Sequence, residues 1–207
     1  MSTEIKKVWT PTRQNTRDFY SIGLPAVTTV LKETESQEKR ESLAKWRAKV
    51  GEAEAERIRQ EAFSNGSYFH QQIENFARTG KCGEVSVANY IESNFQLIDV
   101  EKPLHSFKWG YKGIRDAKAI HKKTGLVYAI DWKTARKPKD ESYLEDEFQQ
   151  LAALNGLDPC QGGLIVRFIP GLDVPQEFFR SVDDMRKDWV LFNQRLKMYR
   201  EMKKESA

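Results

Sequence analysis

The segment YAIDWKT (residues 128–134) ends an apolar run with an acid and an amine, Asp131 and Lys133, two positions apart. Side chains of an extended strand alternate between its faces, so Asp131 and Lys133 project from one face and Trp132 from the other. The Cα atoms of residues two apart in a strand are separated by roughly 6.5–7 Å. This spacing suits two groups that hold one small ligand from adjacent sides. The same triplet also occurs by chance, as a salt bridge at the end of a strand.

A second acid, Asp116, lies in the preceding strand-like segment YKGIRDAKAIH (111–121). The residues HKKTG (121–125) then form the expected connection of a β-hairpin. Pairing outward from this connection sets Asp116 opposite residues 131–133. Two carboxylates so close repel each other, and a divalent cation with oxygen ligands would neutralise them. With Lys133 beside them, the acids predict metal-assisted hydrolysis of a phosphodiester.

The composition is that of a single folded domain. The chain has 207 residues, of which 39% are hydrophobic and 11% aromatic, too many for a disordered chain. Its formal net charge of +4 is a weak indication of an anionic partner. Two cysteines, Cys82 and Cys160, are too few for a disulfide framework or a four-cysteine iron–sulfur cluster. Since the sequence has no long apolar run and no signal region, we expect no membrane partner and a cytoplasmic location.

The order of helical and strand-like segments predicts one α/β domain, with a mixed central β-sheet flanked by helices. An arm with little regular structure is expected to precede it. The predicted divisions are the arm (1–23), the domain (24–207), its helical part (about 36–80), its catalytic core (about 94–170) and a C-terminal helix (about 181–203).

Glycines and capping residues predict where the helices begin and end. Gly51 separates the first two helices of the helical part, the second helix ends near Asn65-Gly66, and Gly80 closes the third. Ser181 and Asp184 form an S-x-x-D capping box ahead of the C-terminal helix.

Several segments together resemble the PD-(D/E)XK nuclease superfamily in its RecB-like branch. GIRDAKA and YAIDWKT are similar to its G-x-x-D and D-x-K motifs, GSYFHQQIE (66–74) to its histidine-bearing helix, and FQQLAAL (148–154) to its Q-x-x-x-Y helix. LPAVTTVLKET, LAKWRAKVGEAEAERI, GLIV and WVLFNQRLKMYREM extend the similarity to one subgroup, the mitochondrial genome maintenance exonucleases and their phage and bacterial relatives. The resemblance covers roughly residues 24–200 and implies a DNA exonuclease.

The resemblance also implies roles for individual residues. Asp116 and Asp131 would ligate Mg²⁺ or Mn²⁺, with the backbone carbonyl of Trp132 completing the set. His70 would be a further ligand or would support one. Lys133 would position the attacking water and stabilise the charge that develops on the phosphate. The second acid is an aspartate where many relatives have glutamate, which shortens its reach.

Around these residues the sequence leaves alternatives open. Gln150 would steady the site or the DNA backbone, although Gln149 competes for the same place in the motif. Glu74, one turn after His70, and Glu101 are candidates for support of the metal ligands, or are ordinary surface charges. The motif's tyrosine is Leu154 here, so that hydrogen-bonding partner is absent or supplied from elsewhere.

The resemblance implies a DNA substrate, single-stranded or with free ends, in replication, recombination or repair. Arg136, Lys137, Lys139 and Lys118 are candidates for phosphate contacts, and the helices of residues 36–64 for an arch over the strand. Protein partners are left open by the sequence, and a bacterial or phage-infected host cell is the expected location because no transit peptide is recognised.

Three other functions are compatible with some of these features. A structure-specific endonuclease would use the same chemistry, although its iron–sulfur members need four cysteines. The leucine at position 154, where the motif has a tyrosine, is compatible with an inactive DNA-binding accessory protein. The charged helices at both ends are compatible with a helical interaction module, but the aligned acids argue against it.

Overall fold

A mixed β-sheet forms the centre of the computed structural model, which describes residues 8–205. Its strand order follows the chain, from β1 to β5. Strands β3 and β4 are parallel, and every other neighbouring pair is antiparallel. The strands are β1 (Phe95–Ser106), β2 (Tyr111–His121), β3 (Val127–Thr134), β4 (Gly162–Phe168) and β5 (Gln176–Arg180).

Helices pack against both faces of this sheet, which confirms the predicted fold class. Within the described residues they are α1 (Arg13–Ser21), α2 (Val27–Glu33), α3 (Gln37–Val50), α4 (Glu52–Thr79), α5 (Val85–Asn94), α6 (Glu145–Leu157) and α7 (Val182–Glu205), with a short 3₁₀ turn at Glu141–Tyr143. Among these residues, no helix combines the length and the apolar character that crossing a lipid bilayer would require.

The alternation of side chains along β3 divides the core as the sequence predicts. Tyr128, Ile130 and Trp132 belong to the apolar cluster beneath α4 and α5, while Ala129 belongs to the cluster beneath α6. A third cluster joins α2, α6 and α7 around Tyr111. The sheet is therefore buried on both faces along β3, and polar groups on that strand are confined to its carboxyl end.

The β2–β3 hairpin has the predicted connection and the predicted register. Its last paired residues are Ala117 and Ile130, which lie opposite each other. Asp116 and Asp131 are the next residues along their strands, at the point where the ladder stops. The two acids thus lie side by side where the ladder between the strands ends.

The predicted helix break at Asn65-Gly66 is wrong, because α4 runs without interruption from Glu52 to Thr79. Glycine in a helix interior costs about 1 kcal/mol relative to alanine. Here the buried residues Ala55 and Phe69, on either side of Gly66, fix both halves of the helix. The other two boundaries are confirmed, because Gly51 separates α3 from α4 and Gly80 ends α4 in the left-handed conformation.

The predicted arm is more ordered than the sequence indicated, and its first seven residues lie outside the described part of the chain. Helix α1 begins with a reciprocal capping box between Thr12 and Asn15. The buried Lys112 ammonium of β2 donates hydrogen bonds to the carbonyls of Phe19 at 3.0 Å and Ile22 at 2.6 Å. These bonds satisfy carbonyls at the end of α1 and join it to the sheet.

Two elements had no counterpart in the prediction. Helix α5 buries Val87 and Ile91, and strand β5 adds an edge to the sheet beyond β4. The C-terminal helix was predicted with its cap, since Ser181, just before α7, and Asp184, in its first turn, exchange hydrogen bonds at 2.7 and 3.1 Å.

Candidate active site

The acid and the amine of the YAIDWKT segment contact each other at the end of β3. The Lys133 Nζ donates to Asp131 Oδ1 at 2.8 Å, and the Gln150 amide of α6 donates to the same oxygen at 3.2 Å. The other carboxylate oxygen, Asp131 Oδ2, is buried and has no hydrogen-bond partner among the described residues. One oxygen of Asp131 is therefore held in place, and the other is available to a ligand.

Asp116 is held by the backbone of the neighbouring strand. The Trp132 amide donates to Asp116 Oδ2 at 2.9 Å, and His70 Nε2 of α4 lies 3.8 Å from that oxygen. The backbone of the D-x-K segment therefore fixes the other acid directly.

Glu101 of β1 completes the arrangement. His70 Nδ1 and Glu101 Oε1 are 2.8 Å apart, and ligand atoms from His70, Glu101 and Asp116 all lie within 4.8 Å of one another. Glu101 has φ of 49°, in the left-handed region, and is alone among the described non-glycine residues in having a positive φ. Such a conformation costs on the order of 1–3 kcal/mol and is found mostly at functional sites.

We call His70, Glu101, Asp116, Asp131 and Lys133 the site cluster. Burial, assisted by the nearby Asp116 carboxylate, outweighs the opposing effect of Lys133 and raises the pKa of Asp131 to about 6. The pKa of Asp116 is also raised, chiefly by burial. Since burial disfavours the charged carboxylates, the cluster favours binding of additional positive charge.

The acids of the site cluster raise the pKa of its two bases, His70 and Lys133. Burial lowers the pKa of His70, but the hydrogen bond to Glu101 and the charge of Asp116 outweigh it and raise the pKa to about 9. Burial likewise lowers the pKa of Lys133, and the Asp131 and Asp116 carboxylates more than compensate. Lys133 therefore carries its proton at neutral pH.

The donor set fits a divalent metal ion. The carboxylates of Glu101 and Asp116 converge with the imidazole of His70, and the nearby Asp131 Oδ2 is a buried oxygen without a proton donor among residues 8–205. Carboxylate oxygens are the ligands that Mg²⁺, Ca²⁺ and Mn²⁺ prefer. The geometry brings Glu101 among the ligand atoms, whereas the sequence left open whether it supports the metal ligands or is an ordinary surface charge. The metal-binding roles of Asp116, Asp131, His70 and the Trp132 carbonyl stay predictions.

The remaining residues that the sequence proposed around the site differ in whether they contact it. Gln150 contacts Asp131, whereas Gln149 is buried on the side of α6 that faces α7. Glu74 forms an ion pair with Arg78, one turn further along α4. Leu154 lies in the apolar cluster between α2, α6 and α7, so packing occupies the place of the motif's tyrosine.

Glu147 was missed by the sequence analysis. It forms ion pairs with Lys139 at 3.0 Å and Arg167 at 3.8 Å, and its charge contributes to the raised pKa of Lys133. The available signal was its position three residues before Gln150, which places both on one side of α6.

The predicted DNA-contacting cations have different surroundings. Lys118 forms an ion pair with Asp158, Lys139 with Glu147, and Arg136 with Glu61 at 2.6 Å. Lys137 is exposed and has no ionic partner in the described part of the chain. Of the four, Lys137 is the cation most available to a phosphate, and the role of all four in DNA binding stays a prediction.

The mixed sheet and the convergence of acids and lysine at its edge agree with the resemblance of the motifs to PD-(D/E)XK nucleases. No protein-family model matches the chain. Its sequence is similar to that of mitochondrial genome maintenance exonuclease 1, which confirms the resemblance seen in the motifs. The Xenopus tropicalis protein is 28% identical over 151 residues, covering 64% of this chain and 42% of the relative. The Homo sapiens protein is 24% identical over 206 residues, covering 87% of this chain and 59% of the relative.

The chain thus spans about half the length of the curated relatives it matches. Among solved structures, that of LHK-Exo in complex with dAMP matches with a TM-score of 0.46 and 15% identity, covering 94% of this chain and 97% of that chain.

Proposed function

We propose that the chain is a metal-dependent deoxyribonuclease that hydrolyses phosphodiester bonds of DNA exonucleolytically. The observation that carries the proposal is the site cluster, in which three acids, a histidine and a lysine from α4, β1, β2 and β3 meet at the end of the β2–β3 ladder. The names of the similar proteins support the same class of activity.

Mg²⁺ or Mn²⁺ is the proposed cofactor, held by Asp116, Asp131, Glu101 and His70. When bound, the ion supplies Lewis-acid polarisation of the phosphate and a lower pKa for water. His70 is oriented for this role because its Nδ1 is hydrogen-bonded to Glu101, which directs its Nε2 toward Asp116. A carboxylate that fixes the ring of a metal-binding histidine in this way is a common arrangement.

Lys133 is the proposed electrostatic catalyst. Its ammonium is held at 2.8 Å from Asp131 and stays protonated, because the acids raise its pKa. A positive charge fixed before the reaction stabilises negative charge that develops on the phosphate without reorganisation cost. Gln150 holds the same carboxylate from α6 and so limits the positions that Lys133 and Asp131 can adopt.

The substrate proposed is a single strand or a DNA end. Helices α3 and α4 form a hairpin of which α3 has no buried residue, and Leu43, Trp46 and Phe63 are exposed on it. Exposed aromatic side chains can stack on unpaired bases. The hairpin is the proposed contact surface for the strand, and the exposed Lys137, just beyond β3, is a proposed phosphate contact.

The test is cleavage of end-labelled linear DNA, single- and double-stranded, with EDTA, Mg²⁺ or Mn²⁺. We expect cleavage only with metal, and a loss of roughly 10²–10³-fold for Lys133→Ala, comparable to the removal of one charge-stabilising donor in other enzymes. Lys197→Ala, an exposed α7 lysine with only a weak ion pair, is the matched control and should cleave normally.

Circular single-stranded DNA distinguishes the proposed exonuclease from an endonuclease. An exonuclease leaves the circle intact, so efficient cutting of the circle would favour the endonuclease. If the protein binds DNA without metal and cleaves none of the substrates, the inactive accessory protein is favoured.

A further inference from the structure

A cavity of about 580 Å³ lies beside the site cluster and has no role in the chemistry proposed above. It is lined by α4, the beginning of α5, the end of β3 and residues of the segment 168–175, which begins at the last residue of β4. Strands β3 and β4 are parallel, so the cavity lies at their shared carboxyl edge. Crevices at the carboxyl ends of parallel strands are the usual place of ligand binding in α/β proteins.

The cavity and the site cluster share two elements, α4 and β3. Phe69, at its wall, is followed directly by His70 on α4, and Thr134, also at its wall, directly follows Lys133 on β3. The cavity and the site cluster are therefore one residue apart along α4 and along β3, although neighbouring side chains of a strand point to opposite faces.

The walls offer both stacking surfaces and free hydrogen-bonding groups. Tyr68 is 49% exposed, and Phe69 and Phe168 add aromatic surface. The side chains of Asn65 and Ser86 also line the cavity and make no hydrogen bond within the described part of the chain. Small-molecule sites typically combine apolar walls with a few polar groups in this way.

The charges at the cavity disfavour a phosphate as its occupant. Glu84 and Asp173 contribute carboxylates, while the cation of the lining, Arg136, is paired with Glu61 outside it. These carboxylates would repel an anionic group such as a phosphate. A neutral ring with N–H groups can instead donate hydrogen bonds to them.

We propose that this cavity receives one unpaired nucleobase of the DNA strand, adjacent to the phosphate that is cleaved. The inference rests on the proposed nuclease function and adds a reason for strand preference. A base that enters the cavity cannot remain paired, so duplex substrate must be opened by at least one base pair before it binds productively.

The test fills the cavity with Ala62→Trp. Ala62 lines the cavity from an exposed position on α4, where the larger side chain should cost little stability. Gln194→Trp, at an exposed position of α7, is the matched control. In a Lys133→Ala background, binding of a short single-stranded oligonucleotide carrying 2-aminopurine is followed by fluorescence. Since stacking is worth about 1–3 kcal/mol per base, Ala62→Trp should weaken binding roughly 5- to 150-fold, and the control should not.

Hydrolysis of bis(p-nitrophenyl) phosphate, a diester without a base, separates the cavity from the chemistry. With Lys133 present, Ala62→Trp should hydrolyse this diester at the wild-type rate while losing DNA cleavage. If wild-type protein cleaves DNA and Ala62→Trp binds and cleaves it equally well, the base site is refuted and the nuclease remains. If wild-type protein cleaves neither substrate with either metal, the nuclease proposal is refuted, and the base site with it.

A second variant decides the case in which Ala62→Trp also loses diester hydrolysis. Tyr68→Ala removes a stacking surface without filling the cavity. Weakened binding of the 2-aminopurine strand by Tyr68→Ala supports the base site, and unchanged binding contradicts it.

Discussion

Arg115 and Asp116 are consecutive buried residues of β2, yet they belong to two clusters with opposite charge balance. Arg115 donates to both oxygens of Asp99, at 2.8 and 3.1 Å, and to Asp158 at 2.8 Å. Lys118 adds an ion pair to Asp158 at 2.9 Å. With Lys102, which pairs with both acids, these residues form what we call the structural cluster (Asp99, Lys102, Arg115, Lys118 and Asp158).

The structural cluster has more cations than acids, and its acids are neutralised by direct contacts. Burial raises the pKa of Asp158, but hydrogen bonds from Lys118 and Arg115 outweigh burial and lower it overall. In the site cluster, three acids face one lysine and one histidine, and the pKa of Asp131 is raised instead. A buried cluster that neutralises itself holds the fold together, whereas one with excess acid is stable only with added positive charge.

The largest expected effect concerns the structural cluster. Arg115→Met leaves Asp99 buried without the guanidinium that donates to both its oxygens, so we expect a loss of about 3–5 kcal/mol in the free energy of unfolding. Urea denaturation followed by circular dichroism measures it. The double variant with Asp99→Asn should recover part of the loss. A loss below about 1 kcal/mol would mean that the cluster does little for the fold.

Metal binding should stabilise the protein through the site cluster. At an ion concentration 100 times Kd, the expected gain is about 2.7 kcal/mol, seen as a higher Tm with Mg²⁺ or Mn²⁺ than with EDTA. Asp116→Asn should abolish the gain because it removes a charged ligand from the group with His70 and Glu101. An equal rise in Tm for Asp116→Asn and wild type would place the ion elsewhere.

The two adjacent glutamines of α6 provide a smaller and more selective test. Gln150→Ala removes the hydrogen bond to Asp131, and bonds to charged groups are worth about 1.5–3 kcal/mol, so cleavage should fall by at least about tenfold. Gln149→Ala changes a buried residue that does not contact the site cluster, so it should lower Tm and leave the cleavage rate of the folded protein unchanged. Equal effects on cleavage would contradict the assignment of Gln150.

The dependence of stability on pH should have opposite sign for the two clusters in metal-free protein. The folded-state pKa of Asp158 lies below the unfolded value of about 3.9, so its stabilisation is lost as pH falls below about 4. The folded-state pKa of Asp131 is about 6, above the unfolded value, so folded protein holds more protons and stability falls as pH rises from about 4 to 6.

Melting temperatures measured at a series of pH values in EDTA test both predicted pH dependences. Asp158→Asn should reduce the loss of Tm below about pH 4. Asp131→Asn should reduce the fall of Tm between about pH 4 and 6. A profile of Asp131→Asn parallel to that of wild type would show that Asp131 is not the group responsible.

Local patterns predicted the parts of the fold that depend on neighbouring residues in the chain. The period-two alternation along β3 and the short connection at 121–125 were enough to set Asp116 beside Asp131. The cap at Ser181 likewise depends on a residue three positions away. Gly66 was misread because the anchoring of α4 at Ala55 and Phe69 is a tertiary effect that a local helix-stop rule does not include.

The sequence by itself determined the residue types of the site: two acids and a lysine at the end of a hairpin, a histidine on a helix, and a glutamine on another. Only the tertiary structure decided that Glu101 joins His70 and Asp116, because the left-handed backbone at Glu101 lies outside the strand alternation that a pattern can predict. It also decided which glutamine reaches Asp131, since that depends on how α6 packs across the sheet. Local propensities act over a few residues, whereas packing between distant segments sets these distances.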